Sequence, residues 1–390
     1  MSKPMFVLGI SPSSQTDYKL TLYKGTDDLA SLFDAWREIV AGIDDASFIQ
    51  SPDWLGSFLK SDPSASENFV AILITNKNAP VGVFPLEYLK QKRFGLNLGV
   101  WRVFWSNNDM GLSDFVFAQK PQNQVLLDLV TDFLRATSPR SFDLMLLQNV
   151  AEDSAIAYSM HFRSPAWCVS VYHHDSKYIR CKNSYDESTS GLTAKYRRNN
   201  RRKLKNLQQL GTVKFTSARN LADLKSAFDD FVNIEASSWK GHAGTALRYD
   251  DERRRFYEEL LARFGVTGQC AIDVLTLNGR PIAAQFAIIS GTTYNLLKIG
   301  YDSTFSAQSP GVLLLDWALR EYSGHPTIRR ISFVTGARWN DDWDPSKQAV
   351  FDHYLYKPTV KGGVAFLIER LKQRVKPLYL RYLESTKNRS

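Results

Sequence analysis

Several common chemistries lack their residues in this chain. Its three cysteines, Cys168, Cys181 and Cys270, are odd in number and none forms a C-x-x-C pair. That argues against a disulfide framework and a cysteine zinc site, and points to a reducing compartment. No apolar run approaches the roughly eighteen residues of a membrane span. Met1-Ser2-Lys3-Pro4 is followed by no long apolar stretch, so a secretory leader is not expected. There is no Gly-x-Ser-x-Gly and no Walker A sequence. His242 and His353 stand alone, so no metal is expected. One sign of charge is also missing locally: no Asp or Glu lies between Glu187 and Asp223.

What is present is ordinary in bulk and uneven in detail. A hydrophobic fraction of 44% and a charged fraction of 23% describe a globular protein rather than a disordered or fibrous one. At about 150 residues per domain, 390 residues predict two or three domains. The acid-free stretch holds Lys195, Arg197, Arg198, Arg201, Arg202, Lys203, Lys205, Lys214 and Arg219, which together equal the net charge of +9. The stretch from Lys361 to Ser390 is a second basic feature.

Residues 1–17 read as a flexible tail. Hydrophobic periodicity then predicts a strand at 19–23, helices at 29–40 and 53–59, and strands at 69–75 and 81–89. A helix at 124–136 and a strand at 141–148 follow. The second half predicts a strand at 212–217, helices at 221–236 and 250–264, and strands at 269–277, 281–289 and 292–301. A helix at 311–322 and strands at 328–334 and 353–356 complete it.

This order repeats, and so do residues. Ala118-Gln119-Lys120-Pro121 parallels Ala307-Gln308-Ser309-Pro310, and Leu126-Leu127-Asp128 parallels Leu314-Leu315-Asp316. Asn78-Ala79-Pro80 likewise parallels Asn278-Gly279-Arg280. The two copies differ where the helix begins: Gly311 in one, Gln122-Asn123 in the other. A glycine there lets a ligand approach a helix N-terminus whose free N–H groups favour phosphate. Pro310-Gly311 is equally the turn that feeds a helix.

The order, with its short motifs, resembles the GNAT acyltransferase fold. More closely it is similar to tandem-GNAT acetyltransferases of the CelD-like cellulose-biosynthesis family, distant relatives of the FemABX peptidyltransferases. The motifs are Phe48-Ile49-Gln50-Ser51-Pro52-Asp53-Trp54, Pro80-Val81-Gly82-Val83-Phe84-Pro85-Leu86 and Leu112-Ser113-Asp114-Phe115. In the second copy they are the basic segment from Lys195, Glu235-Ala236-Ser237-Ser238-Trp239-Lys240, Lys298-Ile299-Gly300-Tyr301-Asp302 and Ser309-Pro310-Gly311. The resemblance departs at Ser332-Phe333-Val334-Thr335-Gly336, where the family carries an acidic residue and, further on, a lysine. The lysine helps carry the reaction in FemABX relatives, so its absence weakens that reading.

The expected fold class is α/β (α+β), two tandem GNAT-like mixed-sheet domains. They are a first domain at 18–170, a linker at 171–190, a second domain at 191–360 and a basic amphipathic helix at 361–390. The resemblance implies transfer of an acyl group, most simply acetyl, from acetyl-CoA as co-substrate, with no metal. The acceptor is an amine or hydroxyl, of the kind carried by a glycan or glycolipid precursor of the cell envelope. Glu235 is the expected base, with Tyr301 and Asp302 at the end of the fourth strand. Gln308, Ser309, Pro310, Gly311 and Val312 are the expected CoA-binding residues. Gln50, Trp54, Arg197, Arg198, Arg201, Arg202, Trp239, Lys240, Lys298 and Trp339 are the expected acceptor-binding residues. For each, a packing or capping role is the competing reading. The alternatives are an aminoacyl-tRNA-dependent FemABX-like transferase and a non-catalytic nucleic-acid- or lipid-binding protein. The expected location is cytoplasmic, with the C-terminal helix either lying on the inner face of an anionic membrane or docking on the second domain.

Overall fold

A computed structural model describes residues 7–10, 18–26, 28–104, 111–118, 123–137, 142–161, 167–238, 241 and 243–387. At 7–10, 123–124, 161, 338–339 and 376–387 it describes the backbone alone. The strands are β1 (Val7–Ile10), β2 (Tyr18–Lys24), β3 (Phe69–Asn76), β4 (Ala79–Arg93), β5 (Leu96–Val103), β6 (Val116–Phe117), β7 (Leu144–Ala151), β8 (Cys168–Arg180), β9 (Val213–Ala218), β10 (Cys270–Leu277), β11 (Arg280–Ser290), β12 (Thr293–Tyr301), β13 (Arg330–Ser332) and β14 (Ser346–Tyr356). The helices are α1 (Leu29–Ala41), α2 (Pro52–Ser61), α3 (Asn123–Thr137), α4 (Ala155–His161), α5 (Tyr185–Ser188), α6 (Ala194–Gln209), α7 (Leu221–Ala236), α8 (Asp251–Val266), α9 (Pro310–Tyr322) and α10 (Val360–Lys387).

The chain divides into two compact units. Unit one takes Met1–Ile43, Ser64–His174 and Ala349–Ser390; unit two takes Asp44–Pro63 and Asp175–Gln348. Each contains the GNAT-like run of antiparallel strands followed by a helix and a parallel strand, so the chain is an α/β protein with two GNAT-like units.

In unit one, β1 to β5 are joined as antiparallel neighbours, β5 meets β7 in parallel, and β7 meets β14 antiparallel. Alternation along the strands sends Ile72, Phe84 and Leu147 into one core with Phe133 of α3. Leu98, Val100, Leu144 and Leu146 face the other core, closed by Phe366 of α10.

In unit two the strand order is β8-β13-β12-β11-β10-β9, antiparallel except for β12 and β13. Phe228 and Phe231 of α7 and Tyr257 of α8 pack their rings on Phe286 of β11. The next residue, Ala287, faces the opposite way and meets Leu315 and Leu319 of α9. Helix starts are capped as the sequence suggests. Thr193 accepts from the Tyr196 N–H, Asn220 from that of Asp223, and Asp250 from that of Arg253.

The structure departs from the sequence reading in four places. Val7–Ile10, placed in a flexible tail, pairs with Tyr18–Thr21 as a hairpin. The segment read as a linker continues β8 to Arg180, because Tyr178, Ile179 and Arg180 have β13 as a partner. Segment 44–63 belongs to unit two rather than the first domain, because Trp54 and Phe58 pack on Phe256 of α8. Ala349–Ser390 closes unit one rather than trailing the second domain: β14 pairs with β7, and Glu369 of α10 pairs with Arg93 of β4.

Candidate functional site

The site begins with a strand that loses a neighbour. β12 pairs with β11 along its whole length, from Thr293 to Tyr301. It pairs with β13 only at Thr293, Tyr294 and Asn295. Leu296–Tyr301 therefore runs on past the β13 ladder, with one backbone edge not taken up by that strand. Opposite Phe286 and Ala287 the β11 ladder skips Leu297, a bulge that shifts the side chains beyond it.

On this open stretch sits Lys298, only 9% exposed, with its ammonium 3.7 Å from the Glu235 carboxylate. Glu235 is fully buried and also accepts the Leu247 N–H at 2.9 Å. The Lys298 ammonium lies 5.4 Å from the centre of the Tyr257 ring. Glu235 is carried by the apolar stripe of α7: Leu224, Phe228, Phe231 and Val232 share its buried face. Gly300 lets that helix close on the strand, since a Cβ there would stand 3.0 Å from the Glu235 Cα.

The start of α9 borders the same stretch. Around Gly311 the nearest side chains are Ile299 and Tyr301, both of β12. Ser309 precedes the helix in the left-handed region, with φ 49°. The Val312 and Leu313 N–H groups both bond the Ser309 carbonyl, and Pro310 has none. Among the described residues the Gly311 N–H is the donor left over in this turn. The first turn thus offers an anion fewer N–H groups than a regular α-helix start. Gln308 ends the preceding 3-10 segment Ser303–Gln308. Asp302, expected as a catalytic group, is spent on capping that segment. It accepts from the Thr304 N–H at 3.0 Å and its hydroxyl at 2.7 Å, and pairs with Arg280. Tyr301 is half-buried at the strand end.

A cleft of about 750 Å³ runs along α6, lined by Thr193, Lys195, Tyr196, Arg198, Asn199 and Arg202. These spacings put three cations on one helix face, with no acid among the lining residues. Burial pushes the Tyr196 hydroxyl up to about 12, so it stays a neutral donor. Arg197, expected on that face, is turned inward and donates to the Thr189 carbonyl at 2.9 Å. Arg201 remains exposed. The opposite face of α6 buries Leu207 and Leu204 against Leu313 and Leu314 of α9.

Gln50 and Trp54, expected to bind acceptor, are buried. Gln50 accepts the Ser47 N–H in a capping box. Trp54 is wedged edge-on between Phe48 and Phe256. Its aromatic bulk fills a core position, the packing role that competed with the binding one. Trp239 and Lys240 lie outside the described residues, as do Gln122 and the side chain of Trp339.

Sequence reading missed Lys177. Its buried ammonium holds the turn after β13, donating to the Gly336 carbonyl at 3.0 Å, the Ala337 carbonyl at 3.3 Å and Asp341 at 2.6 Å. That turn contains Val334 at φ 59°, a strained position for a β-branched residue. It lies in a polar run that reads as a linker, so no local signal marks it. Burial pushes the thiols of Cys181 and Cys270 up to about 12, which makes them poor nucleophiles. Among the described residues no group of three His, Cys, Asp or Glu is placed to hold a metal.

Residues 194–343 match the acetyltransferase (GNAT) domain family. No curated protein sequence matches the chain. Among solved structures, FemX superposes with a TM-score of 0.55 at 9% identity, covering 83% of this chain and 96% of that one. The C-terminal domain of a putative lysylphosphatidylglycerol synthetase from Agrobacterium fabrum superposes with a TM-score of 0.52 at 9% identity, covering 89% and 97%. A conserved protein of unknown function from Bacteroides thetaiotaomicron gives 0.53 at 12% identity, covering 83% and 97%. At these identities the likeness is one of fold.

Proposed function

We propose that the chain is an acyltransferase that takes an acyl group, most simply acetyl, from acyl-CoA bound by unit two. The acceptor is an amine or hydroxyl on a cell-envelope or exopolysaccharide precursor. The observation that carries this reading is the release of β12 from β13 after Asn295, beside the Gly311 start of α9. An extended donor arm fits the parting of these two parallel strands, and its pyrophosphate would meet the Gly311 N–H at the helix start. The acceptor nitrogen or oxygen attacks the thioester carbonyl, the C–S bond breaks, and the thiolate takes a proton. Holding both reactants in line supplies most of the acceleration. The Glu235–Lys298 pair handles the acceptor proton, and Tyr301 supplies the thiolate proton. Asp302 shapes the turn. Lys195, Arg198 and Arg202 hold a phosphate-bearing portion of a substrate.

The test is CoA binding by titration calorimetry. Gly311→Asp is expected to abolish it by setting a carboxylate against the pyrophosphate, while Gln122→Asp in unit one leaves it unchanged. Gly311→Ala serves as the folding control, since its added methyl would meet Ile299 and Tyr301 only at ordinary van der Waals distance. Equal loss from the Gly311→Asp and Gln122→Asp changes, or no CoA binding by the wild type, sinks the reading.

The α6 cations favour a second reading, an aminoacyl-tRNA donor. Activity would then fall steeply with added salt, because every tRNA phosphate paired with a cation makes binding depend on counterion release. A CoA donor, with few phosphates, would give a shallower dependence.

A further inference from the structure

From the two faces of α10 we infer that unit one carries a docking surface for an anionic membrane. One face of the helix is committed to the protein. Ala365 and Phe366 are buried, Phe366 packs on Trp167 and Tyr356, and the buried Glu369 pairs with Arg93. The opposite face is apolar and exposed: Val360, Val364, Leu367, Ile368, Leu371 and Val375. Leu367 and Leu371 are 65% and 63% exposed. At about 100° per residue these six fall in a sector roughly 100° wide, centred opposite the docked face. At 1.5 Å per residue the stripe is about 22 Å long.

Charge selects the occupant. Lys361 and Lys372 border the stripe on one side, and Arg370 and Arg374 on the other. The one acidic residue of the helix before residue 376 is Glu369, which is turned inward. A second copy of this helix laid on the stripe would bring these cationic margins against each other. An anionic lipid surface would meet them with opposite charge while its acyl boundary takes the leucines and valines. No helix among the described residues is long and apolar enough to cross a bilayer, so the helix would lie in the interface.

The experiment is co-sedimentation of the full chain with vesicles of phosphatidylcholine alone and of phosphatidylcholine mixed with phosphatidylglycerol. Binding is expected only with phosphatidylglycerol and should weaken as salt is added. Leu367→Glu with Leu371→Glu should abolish binding without changing thermal unfolding, because both side chains point away from the fold. Arg370→Gln with Arg374→Gln should weaken binding about fivefold per cation removed. Three outcomes overturn the proposal: no wild-type binding to phosphatidylglycerol vesicles, equal binding by wild type and the leucine variant, or a concentration-dependent dimer abolished by the leucine variant while vesicle binding persists.

Discussion

The two units repeat one element order but part their parallel strands differently. In unit one, β5 meets β7 at Val100, Trp101 and Arg102, the end of the strand, so only Val103 runs past the ladder. In unit two the pairing with β13 falls at the start of β12, and Leu296–Tyr301 runs on past that ladder. The same topology therefore gives a closed joint in one copy and an open one in the other. Register, rather than fold, makes that difference. The buried ions follow the same division. The open copy sets Lys298 on the released stretch against Glu235, whereas on β5 the ion pair is Arg102 with Glu87, both partly exposed.

The largest expected effect tests whether that buried pair works or merely packs. Glu235→Gln should lower turnover by roughly 10²–10⁴-fold with CoA affinity nearly intact. It should also destabilise unit two by about 3–5 kcal/mol, since it removes the carboxylate facing a buried ammonium. Combining it with Lys298→Met should restore most of the stability and none of the turnover. Recovery of activity in the double variant would show the pair to be structural.

Acid should act on unit one through His353 next. Burial lowers the His353 pKa to about 4, while its Nδ1 stays 2.8 Å from the Ser170 hydroxyl. The unfolded chain takes up that proton near the ordinary 6.5 and the folded unit resists it. Stability from this group is thus complete above 6.5 and is lost as pH falls toward 4, by about 3 kcal/mol in all. Thermal unfolding followed against pH should show His353→Gln changing the slope between pH 6.5 and 4. An unchanged slope would assign the acid sensitivity elsewhere.

A smaller contrast lies within α6. Arg198→Ala and Arg202→Ala should weaken substrate binding without lowering the melting temperature. Arg197→Ala should instead cost about 1 kcal/mol of stability by removing the bond to the Thr189 carbonyl. Equal behaviour of the three variants in both assays would dissolve the distinction between the cleft face and the inner face. Of comparable size, Gly300→Ala should cost about 1–3 kcal/mol by forcing α7 away from β12. The corresponding change at Gly95, whose surroundings are open but whose φ is +77°, tests backbone strain alone.

The helices and central strands were legible because their apolar spacing is local. The α7 boundaries at Leu221 and Ala236 coincide with the reading, fixed by the Asn220 cap and the stripe from Leu224 to Phe231. β5 is not legible because Gly99, and Gly95 in the turn before it, mask a strand whose alternation is short. β8 was taken for a linker because its polar run His173-His174-Asp175-Ser176-Lys177 owes its order to distant partners. The candidate site was partly legible. Glu235 lies in phase with the buried stripe of α7, a signal of an interior carboxylate that was open to inspection. The ammonium that faces it could not be paired from sequence, since 63 residues of numbering separate them. For Trp54 and Gln50, expected among the acceptor-binding residues, the structure shows burial in a core.

The division of the chain sets the order in which the protein can be built. Unit one contains Met1–Ile43 but is completed by Ala349–Ser390, so during synthesis it waits for the last strand and helix to leave the ribosome. Unit two ends at Gln348 and already has its early segment, Asp44–Pro63, in hand. The copy with the open strand can therefore finish folding first, although its partner copy was begun before it. Until β14 arrives, the β7 edge of unit one remains unpaired on that side, the nascent chain's exposed flank.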